Sequence, residues 1–451
     1  MNSSWISQYD LGVSTPELDR IRRHFTLLEE SQTWERERLD EYRLGKLRTV
    51  YSFARRHVPF YVEKFADCPE EITSWEEFSG LPTTLREEAA DHPESRRANV
   101  LPMGTRALRA LHTSGSSGLV VESVPTDAAE SFRVALSLRE LMWHGIDLRA
   151  SAAVIRALVK DPIQDGALLE GVAVPHWSTG VLSHLVETGP GYFIDVSVPV
   201  DRQVEFLKRH RPTYLLVNPS NLDLLSQAFA DDPPSEKSIV LIRTLGETLH
   251  DDVRSRAESA FECPVVDAYS CQECGHLAAQ CGPEGRYHVQ EESVILEVID
   301  DEGRPCEPGQ PGHVLVTSLL PYATPFIRYK LGDIAEFGSA CECGKTLRSL
   351  SRIVGREMSL IRKPDGARVI NSTLMNSLSA VDGVRRYQVT QLSPDTFDLQ
   401  VVCSRQDCEN DVKEVFARTL DWPHTVTVRV VEAIPPGPSG KMERFRWVGG
   451  S

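Results

Sequence analysis

At 451 residues the chain is longer than one ordinary hydrophobic core supports, so two or three domains are expected. Its net charge of −16 argues against nucleic acid or an anionic membrane as the main partner. No apolar run reaches the roughly 20 residues of a membrane span, and the N-terminus lacks the pattern of a secretory signal. We therefore expect a cytoplasmic protein whose clustered cysteines bind metal rather than form disulfides.

The first half of the chain predicts helices followed by an α/β core. Ser14-Thr15-Pro16-Glu17 combines a capping side chain with a proline and an acid suited to a first helical turn. Helices are expected as far as residue 66, and an amphipathic helix at residues 127–144. Apolar runs then alternate with helical patterns, which is typical of parallel strands joined by helices. The strand candidates are residues 152–159, 214–217 and 239–245, and the helix candidates are residues 201–210 and 221–230.

The pattern becomes strand-rich from about residue 297 onward. The apolar runs LEVID and HVLVTSLL are separated by a turn rich in glycine and proline. Beyond Met358, strands such as 397–403 and 425–431 surround a helical pattern at residues 407–420. The chain is therefore expected to belong to the α/β class, with a smaller α+β domain at its C-terminal end.

A hydroxyl-rich glycine loop follows a short apolar strand at residues 108–111. The loop residues are Thr113, Ser114, Gly115, Ser116, Ser117 and Gly118. The glycines let several backbone N–H groups point into one concavity, which suits a triphosphate or pyrophosphate. No Lys-Ser/Thr pair follows, so the loop differs from the phosphate loop of kinases and GTPases. By composition alone it is typical of a solvated turn, and its meaning depends on the stretches that follow.

Three later stretches carry side chains suited to a nucleotide. Tyr269 follows a strand-like run and could stack on a purine, and Glu273 could hold Mg²⁺ against phosphates. Asp333, in a Gly-Asp pair after an apolar strand, could accept both ribose hydroxyls. Lys441, in a glycine-rich turn, could neutralise negative charge that develops on a phosphate. Each stretch alone also has an ordinary structural explanation.

Taken together and in this order, these stretches resemble the adenylate-forming superfamily, which activates carboxylic acids as acyl-AMP. More narrowly, they resemble its phenylacetate–CoA ligase-like branch. The resemblance runs from about residue 40 to residue 445. Its motifs are RRHVPFYVEKF (55–65), TSGSSG, YSCQE, PFIRYKLGD, RIVGR (352–356) and SGK.

The resemblance implies a role for each matching position. Thr113 to Gly118 would hold the β- and γ-phosphates, and Glu273 would bind Mg²⁺. Lys441 would bridge the carboxylate and the α-phosphate. The remaining ATP-binding positions are Gly246, Glu247, Tyr269, Ser270, Asp333 and Arg356. The acyl pocket would be lined by His176, Trp177, Ser178, Thr179 and Gly180.

The resemblance also implies a domain organisation and a set of small-molecule partners. A large adenylation domain would span residues 1–356, with a helical segment at 1–66. A mobile C-terminal lid at 357–451 would rotate between half-reactions. ATP, Mg²⁺ and a carboxylic acid are implied, with CoA as the favoured acyl acceptor. A homodimer is compatible with this interpretation.

The cysteines match a structural zinc site found in some members of this branch. The implied ligands are Cys281, His288, Cys341 and Cys343, and three thiolates with one imidazole make a closed tetrahedral set. Cys271 and Cys274 are a rival pair, so a set that includes Cys274 stays open, as does a chain that binds no metal. The other cysteines, among them Cys403 and Cys408, are expected to be ordinary thiols.

Three departures from the family pattern bear on function. Leu119-Val120 follow the glycine loop where a lysine and a proline are common, although binding of phosphate by backbone amides survives this change. Met358-Ser359 replace the acidic pair of the hinge, which weakens the case for a CoA-dependent second half-reaction. His176 and Trp177 stand where small and aromatic residues are common. The indole favours an aromatic acid, although Trp177 could equally belong to the core.

The function expected from the sequence is ATP-dependent activation of a carboxylic acid, followed by transfer of the acyl group to CoA. A carrier-protein thiol, an amine or a small inorganic nucleophile is an alternative acceptor. A non-catalytic nucleotide-binding protein on the same fold is the alternative from another class, and the presence of Glu273 and Lys441 favours the enzyme. A zinc hydrolase is disfavoured because the zinc set leaves no position for water.

Overall fold

The computed structural model describes residues 5–113, 119–159, 166–283, 285–405, 408–435 and 442–449. The chain divides into two compact units. The first comprises Met1–Ala152, Val174–Gly191 and Val266–Ile353, and the second comprises Ala153–Ala173, Tyr192–Val265 and Val354–Ser451. The predicted adenylation domain at 1–356 and lid at 357–451 rest on a hinge, and that division stays a prediction.

Helices and strands alternate through much of the described chain. The α-helices are α1 (Pro16–Ser31), α2 (Arg36–His57), α3 (Pro59–Lys64), α4 (Trp75–Ser79), α5 (Arg86–Asp91), α6 (Asp127–Trp143), α7 (Ala167–Glu170), α8 (Leu182–Leu185), α9 (Val200–His210), α10 (Pro219–Asp231), α11 (Asp251–Phe261), α12 (Ser372–Ser379) and α13 (Cys408–Thr419). The strands are β1 (Leu111–His112), β2 (Glu122–Ser123), β3 (Ala152–Arg156), β4 (Val172–Val174), β5 (Gly191–Asp195), β6 (Tyr214–Val217), β7 (Leu241–Leu245), β8 (Val265–Cys271), β9 (Gly275–Gln280), β10 (Tyr287–Val289), β11 (Val294–Ile299), β12 (Pro311–Ser318), β13 (Tyr329–Phe337), β14 (Ser349–Arg356), β15 (Ile361–Arg362), β16 (Arg368–Val369), β17 (Val384–Ser393), β18 (Thr396–Cys403), β19 (Thr425–Val430) and β20 (Phe445–Trp447).

The first unit consists of N-terminal helices and a largely antiparallel set of strands. Helix α1 begins where the sequence predicts, because the Thr15 side chain accepts a hydrogen bond from the Leu18 N–H at 3.2 Å. Helix α1 packs against α6. The strands of this unit have the order β11-β12-β13-β14-β10-β9-β8, and β12 is antiparallel to both β11 and β13. Leu277 and Val316 from these strands share a core with Phe326, which lies between β12 and β13.

The hairpin of β8 and β9 places the expected magnesium ligand in a tight turn. Cys271 on β8 pairs with Gly275 on β9, so Glu273 lies within the connection. The register shifts between Tyr269 and Ser270, which marks an irregularity in the strand just before the turn. The hairpin therefore fixes the positions of both residues: Tyr269 lies on the paired strand β8, and Glu273 lies in the short turn that follows it.

The second unit contains the α/β core and the C-terminal α+β segment. Its core strands have the order β7-β6-β3-β5-β4, and β6 and β7 are parallel, as the alternating pattern predicts. The C-terminal strands have the order β19-β18-β17-β20. They share a core with helices α12 and α13, in which Phe397 and Phe416 are buried. The predicted α/β class is therefore confirmed.

Two features of the described chain bear on the expectations from the sequence. Cys403 and Cys408 form a disulfide, so the expectation of ordinary thiols at these positions is wrong. They meet because β18 ends and α13 begins only a few residues apart, which brings the two side chains together. Within the described residues, no helix combines the length and apolar character needed to cross a membrane.

Candidate active site

A short segment before α5 is fixed to strand β13. The Thr84 N–H donates to the Arg328 carbonyl at 2.9 Å, and the Lys330 N–H donates to the Thr84 carbonyl at 2.9 Å. The Thr84 hydroxyl donates to the Ile327 carbonyl at 3.0 Å. These bonds make Thr84 part of the edge of β13, and they place Arg86, the first residue of α5, beside that strand.

Arg86 contacts Glu273 and three other residues in one polar cluster. Its Nη1 lies 3.0 Å from Glu273 Oε1 and 3.1 Å from the Tyr329 hydroxyl. Its Nη2 donates to Thr113 Oγ1 at 3.0 Å and to the Leu119 carbonyl at 3.4 Å. The Glu273 side chain is 4% exposed, so this ion pair is largely shielded from water. Arg86 thus links Glu273 to both residues that border positions 114–118.

Tyr329 completes this cluster as a hydrogen-bond donor. Its hydroxyl donates to Glu273 Oε1 at 3.1 Å. Burial, followed by the negative charge of Glu273, raises the pKa of the Tyr329 phenol above its ordinary value. The phenol therefore stays protonated at neutral pH, and it holds the carboxylate in a fixed orientation.

Tyr269 and Asp333 are also brought together, on β8 and β13. The Tyr269 hydroxyl donates to Asp333 Oδ2 at 2.6 Å, and both side chains are buried. The expected sugar-binding carboxylate and the expected adenine-stacking ring are thus neighbours. Ser270, the next residue along β8, is only partly buried and pairs with His276.

Several expected site residues cannot be placed beside this cluster. Ser114, Gly115, Ser116, Ser117, Gly118 and Lys441 lie outside the described residues. Gly246, Glu247 and Arg356 belong to the second unit. There, Glu247 Oε2 accepts a hydrogen bond from the Ser220 N–H at 3.0 Å. The ATP-binding roles of all of these residues stay predictions.

The expected pocket stretch is held by hydrogen bonds within the first unit. The Trp177 Nε1–H donates to the carbonyls of Leu148 and Ala150, each at 3.1 Å. His176 Nδ1 donates to the Thr188 carbonyl at 2.6 Å, and the Ser178 hydroxyl lies 2.9 Å from the Thr188 hydroxyl. These contacts give the indole a packing role. The acyl-pocket role of His176, Trp177, Ser178, Thr179 and Gly180 stays a prediction.

Four potential metal ligands meet in the first unit. The ligand atoms of Cys281, His288, Cys341 and Cys343 all lie within 4.8 Å of one another. Cys281 Sγ is 3.7 Å from Cys341 Sγ, and His288 Nε2 is 3.2 Å from Cys343 Sγ. His288 Nδ1 donates to the Leu347 carbonyl at 3.0 Å, so Nε2 is the ring nitrogen that faces the thiols.

The chemistry of these donors fits a thiophilic metal such as zinc. Burial lowers the pKa of His288 to about 4, so its imidazole is neutral at physiological pH, as a metal ligand must be. Three thiols and one imidazole fill a tetrahedral shell. The rival Cys274 is buried in the core, where its N–H donates to Cys271 Sγ at 3.3 Å. Among the described residues, the cluster that meets contains neither Cys271 nor Cys274.

Sequence reasoning missed Arg86 and assigned no role to Tyr329. Tyr329 lies inside the PFIRYKLGD motif, so its position gave a signal. Arg86 lies in the first turn of a helix, where the helix dipole disfavours a cation. A cation at such a position suggests a specific anionic partner, and this was the available signal.

Comparisons with known proteins agree with the motifs. The model of the family described as AMP-binding enzyme matches residues 174–319. A phenylacetate–coenzyme A ligase from Thermus thermophilus is 24% identical over 429 residues, covering 90% of this chain and 88% of that protein. A phenylacetate–coenzyme A ligase from Pseudomonas putida is 25% identical over 358 residues, covering 74% and 75%.

The fold agrees as well. A 2-hydroxyisobutyryl-CoA ligase solved in the postadenylation state superimposes with a TM-score of 0.73 and 18% identity, covering 99% of this chain and 96% of that one. The expected motifs occur in the expected order on this fold. The chain is therefore similar to AMP-binding enzymes over residues 174–319 and to phenylacetate–coenzyme A ligases over most of its length, and it shares the fold of the 2-hydroxyisobutyryl-CoA ligase.

Proposed function

We propose that the protein activates a carboxylic acid with ATP, forming an acyl-AMP, and then transfers the acyl group to CoA. The observation that carries this proposal is the cluster of Arg86, Glu273, Tyr329 and Thr113, two members of which lie close in the chain to the Tyr269–Asp333 pair. Tyr329 and Asp333 share β13, and Glu273 lies in the turn that follows β8, which carries Tyr269. The cluster joins a carboxylate suited to Mg²⁺ to a residue at the edge of the predicted phosphate loop. Two relatives named as phenylacetate–coenzyme A ligases favour an aromatic acid.

The chemistry proceeds by in-line attack of a carboxylate oxygen on the α-phosphorus of ATP, with pyrophosphate as the leaving group. Glu273 would hold Mg²⁺, which supplies positive charge for the phosphates when bound. Asp333 would orient the ribose. Lys441 would neutralise charge at the α-phosphate. In the second step the CoA thiolate attacks the acyl carbon and AMP leaves.

The first experiment is pyrophosphate release from ATP across aryl, arylacetic and short aliphatic acids, with and without CoA. We expect release that depends on an aryl or arylacetic acid, together with an acyl-CoA product detected by mass spectrometry. Glu273→Gln and Lys441→Ala should each lower release by about 100-fold or more. Lys363→Ala is a matched surface control and should keep full activity.

Three other results would change the proposal in different ways. Pyrophosphate release without an acyl-CoA product would keep the adenylation step and replace CoA by another acceptor. ATP binding without release for any acid would favour a nucleotide-binding protein. Full activity of Lys441→Ala would remove the role given to that residue.

We also propose that the C-terminal residues 357–451 act as a lid that changes position between the two half-reactions. Two features of the second unit support a hinge near residue 357, where the proposed lid begins. Gly355 has φ of +120°, a conformation that side chains rarely adopt, and a 3₁₀ turn follows at Glu357–Ser359. Proteolysis with and without acid and ATP should show a change in cleavage near residue 357.

A structural zinc is proposed for Cys281, His288, Cys341 and Cys343. Purified protein should contain zinc in an equimolar amount, and a chelator should lower the melting temperature because the metal ties two segments together. Cys343→Ser should lose zinc and stability. Cys271→Ser is the matched control and should keep both, whereas zinc loss in this variant would revive the rival ligand set.

Location in the cytoplasm and assembly as a homodimer are further proposals. The metal-type cysteine cluster supports a reducing compartment, whereas the Cys403–Cys408 disulfide does not. Fractionation of the source cells would decide the location. Light scattering of the purified chain would decide the oligomeric state.

A further inference from the structure

The predicted phosphate loop carries no cation of its own. Between Arg109 and Arg133 the sequence contains neither lysine nor arginine. A triphosphate carries several negative charges, and backbone amides and hydroxyls compensate them only in part. A site for ATP in a chain of net charge −16 therefore needs a cation supplied from elsewhere in the fold.

Arg86 is placed where that cation is needed. Its guanidinium contacts Thr113 at 3.0 Å and Leu119 at 3.4 Å, the residues on either side of positions 114–118. The link between Thr84 and β13 fixes the backbone two residues earlier. The guanidinium is therefore held by the fold before any ligand binds.

In this structure Arg86 is paired with Glu273, a carboxylate that is itself expected to bind Mg²⁺. Arg86 Nη1 forms an ion pair with Glu273 at 3.0 Å, and Glu273 is the expected Mg²⁺ ligand. A carboxylate that binds a divalent cation gives up part of its attraction for a guanidinium. A guanidinium, in turn, pairs strongly with phosphate through parallel N–H···O bonds.

We infer that Arg86 is a polyphosphate-binding residue, and that Glu273 is its counter-ion only while the nucleotide is absent. When ATP binds with Mg²⁺, Glu273 turns to the cation and Arg86 turns to the phosphates. Arg86 thereby supplies a positive charge next to the loop, which is followed by the uncharged Leu119. This inference rests on the proposed function, and it adds the residue that distinguishes a triphosphate from a monophosphate.

The test compares two nucleotides on the full chain without acid, so that no turnover occurs. Calorimetry measures the Kd of ATP with Mg²⁺ and the Kd of AMP. Arg86→Gln keeps hydrogen-bonding capacity but removes the charge, and we expect ATP to bind about 10- to 100-fold more weakly. AMP should bind as it does to the unmodified chain. Arg86→Lys keeps the charge and should lose much less ATP affinity.

A second-site variant makes the inference sharper. Placing a lysine at the loop border, Arg86→Gln with Leu119→Lys, should recover a large part of the ATP affinity and leave AMP binding unchanged. Arg304→Ala breaks an exposed ion pair with Asp300 on the β11–β12 turn and is the matched control. It should bind both nucleotides normally.

Specific results overturn the inference. If Arg86→Gln weakens AMP as much as ATP, or if Leu119→Lys restores nothing, Arg86 has only a structural role. If Arg86→Gln fails to fold, Arg86→Lys provides the test, because it keeps the positive charge. ATP affinity of Arg86→Lys as low as that of an unrelated protein would then refute a role based on charge. A wild-type chain that binds neither nucleotide refutes the proposed function, whereas normal ATP binding by Arg86→Gln refutes this inference alone.

Discussion

Arg444 joins the C-terminal α+β segment to the helices of the α/β core within the second unit. Its Nη1 lies 3.0 and 2.9 Å from the two carboxylate oxygens of Asp252 on α11. Its Nη2 donates to Asp223 on α10 at 3.2 Å. The three side chains are 14%, 14% and 11% exposed, so solvent screens these pairs only weakly.

Replacing Arg444 with methionine keeps most of the side-chain volume and removes the charge. Breaking a buried ion pair by removing one partner costs about 3–5 kcal/mol. Here Arg256 remains beside both carboxylates, contacting Asp223 directly and lying 3.8 Å from Asp252. We therefore expect the free energy of unfolding to fall by about 2–4 kcal/mol in Arg444→Met.

Urea unfolding followed by tryptophan fluorescence measures this loss. A double-mutant cycle with Asp252→Asn should give a coupling energy of about 1–3 kcal/mol, because the two groups share hydrogen bonds. Arg429→Met removes the exposed pair with Asp398 and should change stability by less than about 1 kcal/mol. Stability of Arg444→Met within 0.5 kcal/mol of the unmodified chain (about the threshold for a surface change), or no coupling, would refute the reasoning.

Two further predictions concern glycine packing and a buried histidine. A Cβ at Gly189 would lie 2.1 Å from the Arg149 carbonyl oxygen and 2.6 Å from that of Ala150, so Gly189→Ala should lower the melting temperature strongly. Gly45→Ala, in the open middle of α2, should raise stability by about 0.5–1 kcal/mol, and equal melting temperatures for the two variants would contradict the clash. Burial lowers the pKa of His24 to about 4. Between pH 6.5 and about 4 the imidazole is therefore protonated in the unfolded chain and neutral in the folded chain. Stability should therefore fall between pH 6.5 and 4, and His24→Gln should show a shallower fall in urea titrations; an unchanged slope would contradict this assignment.

Local structure followed from local sequence. The predicted helix at 201–210 is observed as Val200–His210, and the predicted strand at 214–217 is Tyr214–Val217. Both depend on the spacing of apolar residues over a short segment, and this spacing can be read directly from the sequence. The order of short motifs likewise indicated the similarity to AMP-binding enzymes and phenylacetate–coenzyme A ligases, because each motif is a continuous stretch.

Contacts between distant residues depended on the fold. The cysteine cluster was expected from resemblance, yet spacing alone left Cys274 as a rival. Only the pairing of β9, β10 and β14 shows which thiols meet. The Cys403–Cys408 disulfide was missed because compartment was argued from composition, whereas the bond depends on where a strand ends and a helix begins.

Arg86 shows the limit most clearly. It is separated from Glu273 by 187 residues, and neither lies in a pattern that names the other. The sequence by itself determined the helices, the strands and the motifs that are predicted to hold a nucleotide. The tertiary structure alone decided which cation meets the Glu273 carboxylate, because that pairing arises when Thr84 joins β13 and the β8–β9 turn closes beside it.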